Sequence, residues 1–471
     1  MQMKRNLLYI LGGLVLLMIA CSRDKGNYDY VELPDPVVQG LDTSYSVITG
    51  DSLIITPLVK LASGKSDYDC YWKINVPEKA TSLDYEGRNL RIVFGLSSGR
   101  YTAQLAVVDN SNGMKYFYEF IISCQTEFTK GAVVLTSSGG RAELAFIKPD
   151  GTIQSDIYQA INQEALQGEP MQLVPVQNQF YLNRLTSYWI TYTNGGVLVN
   201  ADNLQRMRSL KDNFFEPPAS VKAEYMMNMP QGVTQALING KLYIGATETA
   251  PFWPYYGFYG VPVAGNYKLH PQMVHNAYEN PYGTYYLGFE ANQKQFVRIM
   301  KQSYYGSDFS VMDTAFNPKD LKMDMLYMDR FSDNDLYAFC DSAGKKMELK
   351  FRVLLNDSTQ RFYPSYKRVF PGASLVSAGT VWRSSPIGVF FFSANDKVYR
   401  YNPLNQELKA LDANFGGKKV TMLKVLRNGN LLVAGVEGSI YYLDISTGKT
   451  GQVIQQYNGI AGIPKDVIVR D

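Results

Sequence analysis

Apolar and polar positions alternate through YTAQLAVV, which puts Tyr101, Ala103, Leu105 and Val107 on one face of a strand. Asn112-Gly113 then turns the chain into MKYFYEF. The same rhythm of short strands and turn residues runs through SVITGDSLIITPLV, YDCYWKIN, RNLRIVFGL and MKYFYEFIISC. It predicts an all-β sandwich of the immunoglobulin type over residues 37–126. Trp72 falls on a central strand as the large core residue, and Tyr101 stands where such sandwiches carry a tyrosine corner.

From Phe128 onward the pattern becomes pairs of apolar strands joined by turns that carry glycine or asparagine. Aligning Val398-Tyr399-Arg400-Tyr401-Asn402 with Ile440-Tyr441-Tyr442-Leu443-Asp444 gives an offset of 42 residues, the length of a propeller blade. Further strand starts stand at AVVLTSSGG (132), YWITYTNGG (188), KLYIGATET (241), TYYLGFEAN (284) and DLYAFCDSAG (335). Together they predict a β-propeller over residues 127–471, with seven blades favoured over six or eight. Aromatic residues suit such half-buried pleated surfaces, which accounts for the 35 tyrosines. A helical insertion is expected at DIYQAINQEALQG, with Ile157, Ile161 and Ala165 on one face and Gly168 at its end.

The N-terminus adds a destination. Lys4 and Arg5 precede an apolar run from Leu7 to Ile19, too short for the ~20 residues that cross a bilayer, so residues 1–20 are expected to be a secretory signal peptide. Met18-Ile19-Ala20-Cys21 resembles the bacterial lipobox, in which the cysteine becomes the acylated first residue of the mature chain. Multiple acyl chains on Cys21 would hold the protein on a membrane, and the polar stretch 21–36 would serve as tether. Loss of the signal lowers the formal charge from +3 to +1, so nothing in the balance points to nucleic acid. Beyond Cys21 only Cys70, Cys124 and Cys340 remain, too few for a disulfide scaffold, and Cys70 and Cys124 fall on strands that should not be neighbours.

Candidate chemistry is sparse. His270 and His275 lack the one-face helical spacing of a zinc pair, and no nucleophile elbow, phosphate loop or dinucleotide fingerprint occurs, so no metal and no cofactor are expected. The segment SDND at 332–335 reads as a hairpin turn rather than a calcium loop. Glu248, Asp202, Asp341 and Asp396 lie near strand ends, where a glycosidase would carry its acids, although Asp is also an ordinary turn former. The decapeptide PFWPYYGFYG, residues 251–260, stands apart. Its prolines and glycines favour a loop, leaving Phe252, Trp253, Tyr255, Tyr256, Phe258 and Tyr259 two outcomes. They fold back as a satellite cluster, or they present a platform for a peptide, a glycan or a partner protein. Tyr278, Tyr282, Tyr285 and Tyr286 would extend the same surface.

The run SGRYTAQLAVVDNSNG resembles the penultimate strand and turn of PKD domains, although the family's W-D-F-G-D-G turn is replaced by KINVPEKA after Trp72. Taken with the start CSRDKGNYDYVELPDP and the repeats, the chain resembles the PKD-like family lipoproteins of Bacteroidota. That resemblance implies an accessory lipoprotein, anchored through Cys21 on the outer face of the outer membrane. It implies a non-enzymatic binding or scaffold role beside a SusC/SusD-type transporter and other surface lipoproteins, in uptake of oligopeptides or glycans. The alternative is a propeller glycoside hydrolase or lyase.

Overall fold

The computed structural model describes residues 34–181, 183–247, 255–276, 285–332 and 334–470, and the chain divides into two compact units that meet in sequence at Cys124 and Gln125. The first unit is the sandwich. Its larger sheet orders the strands Ser44–Ile48, Lys115–Gln125, Gly99–Asp109, Tyr68–Val76 and Thr81–Glu86. Two smaller pairs face it, Ser52–Ile55 with Leu90–Val93 and Val37–Gln39 with Leu58–Lys60. Tyr101, Ala103, Leu105 and Val107 all point into the core, as the alternation requires. Trp72 is buried with its indole N–H donated to the Gly87 carbonyl at 2.8 Å, and Tyr101 forms the expected corner by donating its hydroxyl to Ser97 O at 2.8 Å. Cys70 and Cys124 are free thiols, because Gly99–Asp109 lies between their strands. Burial pushes the Cys70 thiol up to about 11, which leaves it unreactive.

The second unit is a β-propeller of seven blades. In chain order from blade 2 to blade 7, the strands nearest the axis are Pro170–Asn178, Ala223–Asn228, Val274–His275, Asp324–Ser332, Trp382–Ser385 and Val420–Leu426. Blade 1 takes its inner strand from the other end of the chain: Ile463–Arg470 pairs antiparallel with Gly131–Ser138, followed by Arg141–Ile147 and Ile153–Gln154. Each of the seven strand starts read from the sequence falls in a different blade. The offset of 42 residues relates the third strand of blade 6, Lys397–Asn402, to that of blade 7, Ser439–Asp444. A blade alone leaves both faces wet, so apolar clusters fill the space between adjacent blades, such as Tyr327, Phe339, Phe370, Trp382 and Phe390 between blades 5 and 6.

Two expectations change. The helix covers only Ile157–Asn162, because Gln163 turns into the left-handed region at φ 56° and ends it five residues before Gly168. Asn162 then holds the turn in place by donating to the carbonyls of Tyr158 and Leu204, both at 3.1 Å. Tyr285 and Tyr286 sit on a central strand of blade 4 and are fully buried, so they extend no surface. Among the described residues no helix is long and apolar enough to cross a membrane.

The closing strand is approached through Gly462, whose φ is +83° and where an added Cβ would meet the Ser137 carbonyl at 2.3 Å. Gly462→Ala is therefore expected to cost about 1–3 kcal/mol in a denaturant melt. Gly260→Ala, at a position with ordinary φ and open space, should stay within about 0.5 kcal/mol.

Candidate ligand-binding sites

The decapeptide is divided between core and surface. Residues 257–259 supply the missing outer edge of blade 3: Ala246 N donates to Phe258 O at 2.9 Å and Gly257 N to Ala246 O at 2.8 Å. On the other side Tyr259 N donates to Asn213 O at 2.8 Å, which ties blade 3 to blade 2. This pairing turns Tyr259 inward, where it is 0% exposed and its hydroxyl shares a 2.6 Å hydrogen bond with Thr234. Tyr256 is also buried and donates to Gln231 O at 2.9 Å. Tyr259 thus belongs to the core and not to a platform.

The other two described rings face outward. Tyr255 is 54% exposed and packs edge-on to Phe258 at 5.4 Å, and both rings meet Phe215, itself 56% exposed. Phe215, in FFEPP, belongs to no motif that marks it in the sequence. The guanidinium of Arg208 lies 4.8 Å from the Phe258 ring centre, and burial lowers its pKa. Cys21, Phe252, Trp253, Tyr278, Tyr282 and Glu248 lie outside the described residues.

A second site is built by the whole ring. A cavity of about 340 Å³ on the axis is lined by residues from all seven inner strands or the turns leading to them. Its acids are committed to the fold. Asp466 of blade 1 accepts from Lys424 of blade 7 at 3.0 Å, from its neighbour Val467 N at 2.9 Å and from Leu173 N of blade 2 at 3.1 Å. Asp329 of blade 5 accepts from Tyr327 at 2.6 Å and from the Ser384 hydroxyl of blade 6. Glu224 accepts from Gly240 N at 2.7 Å and pairs with Lys222 at 3.4 Å. Arg383 differs, since it donates to the Trp382 carbonyl at 2.7 Å and has no carboxylate within ion-pair distance among the described residues. Burial pushes the Tyr225 hydroxyl up to about 12, with Asp329 adding to the shift and Arg383 opposing it.

The acids marked in the sequence are not brought together. Asp202 holds Arg184 at 2.9 Å and Arg470 of the closing strand at 3.1 Å, Asp341 pairs with Lys346, and Asp396 lies in the turn between Val389–Ala394 and Lys397–Asn402 of blade 6. None of the three lines the axial cavity. His270 and His275 are half-buried, desolvation lowers the pKa of both, and His275 Nδ1 sits 3.0 Å from the Asn276 carbonyl. No group of three or more potential ligands that could hold a metal occurs among the described residues.

Residues 21–170 match the PKD-like family. Among the described residues the match thus spans the sandwich and the three strands of blade 1 from Gly131 to Gln154. A search of curated proteins finds no match. Among solved structures, the chain is similar to a quinoprotein alcohol dehydrogenase-like protein from Bacteroides thetaiotaomicron, at 12% identity and TM-score 0.43, covering 93% of this chain and 99% of that one. It is also similar to a functionally unknown protein from Desulfotomaculum acetoxidans, at 10% identity and TM-score 0.44, covering 72% and 98%.

The division of the loop is testable. Tyr259→Phe should cost about 1–2 kcal/mol, because Thr234 loses its buried partner. Tyr255→Ala should leave the thermal midpoint nearly unchanged. Equal effects of the two in differential scanning calorimetry would contradict this assignment.

Proposed function

We propose that the chain is a non-enzymatic binding component of a nutrient-uptake complex, held by acylated Cys21 on the outer face of the outer membrane. It works beside a SusC/SusD-type transporter on oligopeptides or glycans. The resemblance of CSRDKGNYDY and the sandwich to PKD-like lipoproteins supports the location and the association. The single observation that carries the binding role is the axial cavity, a polar chamber contributed to by every blade, with Asp466 and Asp329 engaged in joining blades and Glu224 bonded within blade 3. A catalytic acid must be free to gain and lose a proton at the reacting atom. Asp466 and Asp329 are instead occupied as acceptors, whereas Arg383 is left open to a polar ligand.

The expected outcome is that the full chain, isolated from membranes in mild detergent, brings down a transporter and its lipoprotein partner. Cys21→Ala should move the protein from the membrane fraction to the soluble fraction, and protease added to intact cells should cut the wild type. Isolation only as a free monomer, or full protection from protease, would contradict the reading.

A further inference from the structure

Between blades 2 and 3, under the aromatic loop, lies a cavity of about 240 Å³ lined in part by Trp189, Leu198, Met207, Arg208, Asn213 and Val233. Two polar side chains in it are incomplete. Arg208 makes no side-chain hydrogen bond and no ion pair among the described residues, and its Nε is buried without a partner. The face of Phe258 lies against it. Asn213 is 1% exposed; its amide N–H is donated to Gly257 O at 3.0 Å, but its Oδ1 has no donor among the described residues. The unpartnered Nε of the half-buried Arg208 and the buried, empty carbonyl of Asn213 both carry a desolvation cost that a ligand would offset.

The two vacancies are complementary in kind, since Arg208 needs an anionic acceptor and Asn213 Oδ1 needs a donor. The remaining walls are mixed: Val176, Trp189, Leu198, Met207 and Val233 are apolar, while the hydroxyls of Thr186, Thr234 and Tyr256 are already bonded to Val176 O, the Tyr259 hydroxyl and Gln231 O. A sugar acid would supply the anion but would also bring several hydroxyl groups, which would compete for wall hydroxyls of Thr186, Thr234 and Tyr256 that the fold already uses. A peptide end supplies one carboxylate, one N–H on the adjacent main chain and one apolar side chain. We propose that this pocket binds the carboxy-terminal residue of a peptide with an apolar side chain: the carboxylate on Arg208, the main-chain N–H on Asn213 Oδ1, and the side chain among Trp189, Leu198 and Met207. The exposed rings of Phe215 and Tyr255, with the half-buried ring of Phe258, then cover the residues that precede it. The inference deepens the binding reading above, and rests on it only in taking the propeller as a binding module.

The test is calorimetric titration of the full chain in detergent with glycyl-glycyl-leucine, its carboxy-terminal amide and digalacturonate. The free acid should bind, and the amide should bind at least about tenfold more weakly, because the guanidinium loses its charged acceptor. Arg208→Ala should bring the acid down to the amide's affinity, whereas Lys409→Ala, an exposed cation on blade 6, should change nothing. Thermal melts of both variants check that they remain folded. Equal affinity for acid and amide, no binding of either at millimolar concentration, or tighter Arg208-dependent binding of digalacturonate would each overturn the proposal. A chain that binds the peptide but never co-purifies with a transporter would overturn only the association with that transporter.

Discussion

The pairing of Ile463–Arg470 with Gly131–Ser138 is the interaction on which the propeller depends. It joins the last strand of the chain to the first long strand of the unit, so blade 1 is complete only when the C-terminus has arrived. Arg470 then reaches into blade 2, donating to Ala201 O at 2.6 Å and to Asp202, and to Phe128 O at 3.1 Å. On the same strand Asp466 joins blades 1, 2 and 7 at the axis. Closing the ring converts seven marginal sheets, each with apolar surface on both faces, into a set of mutually covered ones. No blade needs to be stable by itself.

The same constraint shapes the two cavities. At the axis, polar side chains from different blades are forced together, and hydrogen bonds between them satisfy most of the charge. Between blades 2 and 3 the chain does the reverse. The outer edge of blade 3 is made by Gly257–Tyr259 arriving from the aromatic loop, and that arrival buries Tyr256 and Tyr259 while leaving Arg208 and Asn213 with unfilled bonding capacity beneath it. Structural and binding roles thus alternate within one short stretch. Tyr259 closes the blade, and Tyr255 and Phe258 face the solvent beside the pocket.

Much of this architecture was legible because strand pairs repeat locally: the alternation around Tyr101 gave the sandwich face, and the offset of 42 residues gave the blade. The fourth edge of blade 3 was hidden, because prolines and glycines mask a three-residue pairing whose partners, Ala246 and Asn213, are set by the tertiary fold. The helix was overread for a related reason. Its apolar spacing continues to Ala165, but the backbone at Gln163 ends it where Asn162 can bond to Leu204 of the next blade. The axial residues, such as Gln172, Tyr225, Asp329, Arg383 and Asp466, stand far apart in sequence with no motif linking them. Arg208 in RMRS reads as an ordinary exposed edge position, and only the packed structure shows its guanidinium without an acceptor.

The most direct test of ring closure is hydrogen exchange, read by mass spectrometry, on a chain that ends after Asn458 and so lacks the closing strand. The account predicts that protection is lost in Gly131–Ser138 and in blades as distant as Val389–Ala394, while Gly99–Asp109 of the sandwich exchanges as slowly as in the intact chain. Protection of Val389–Ala394 equal to that of the intact chain would show that the blades stand without closure, and would contradict it.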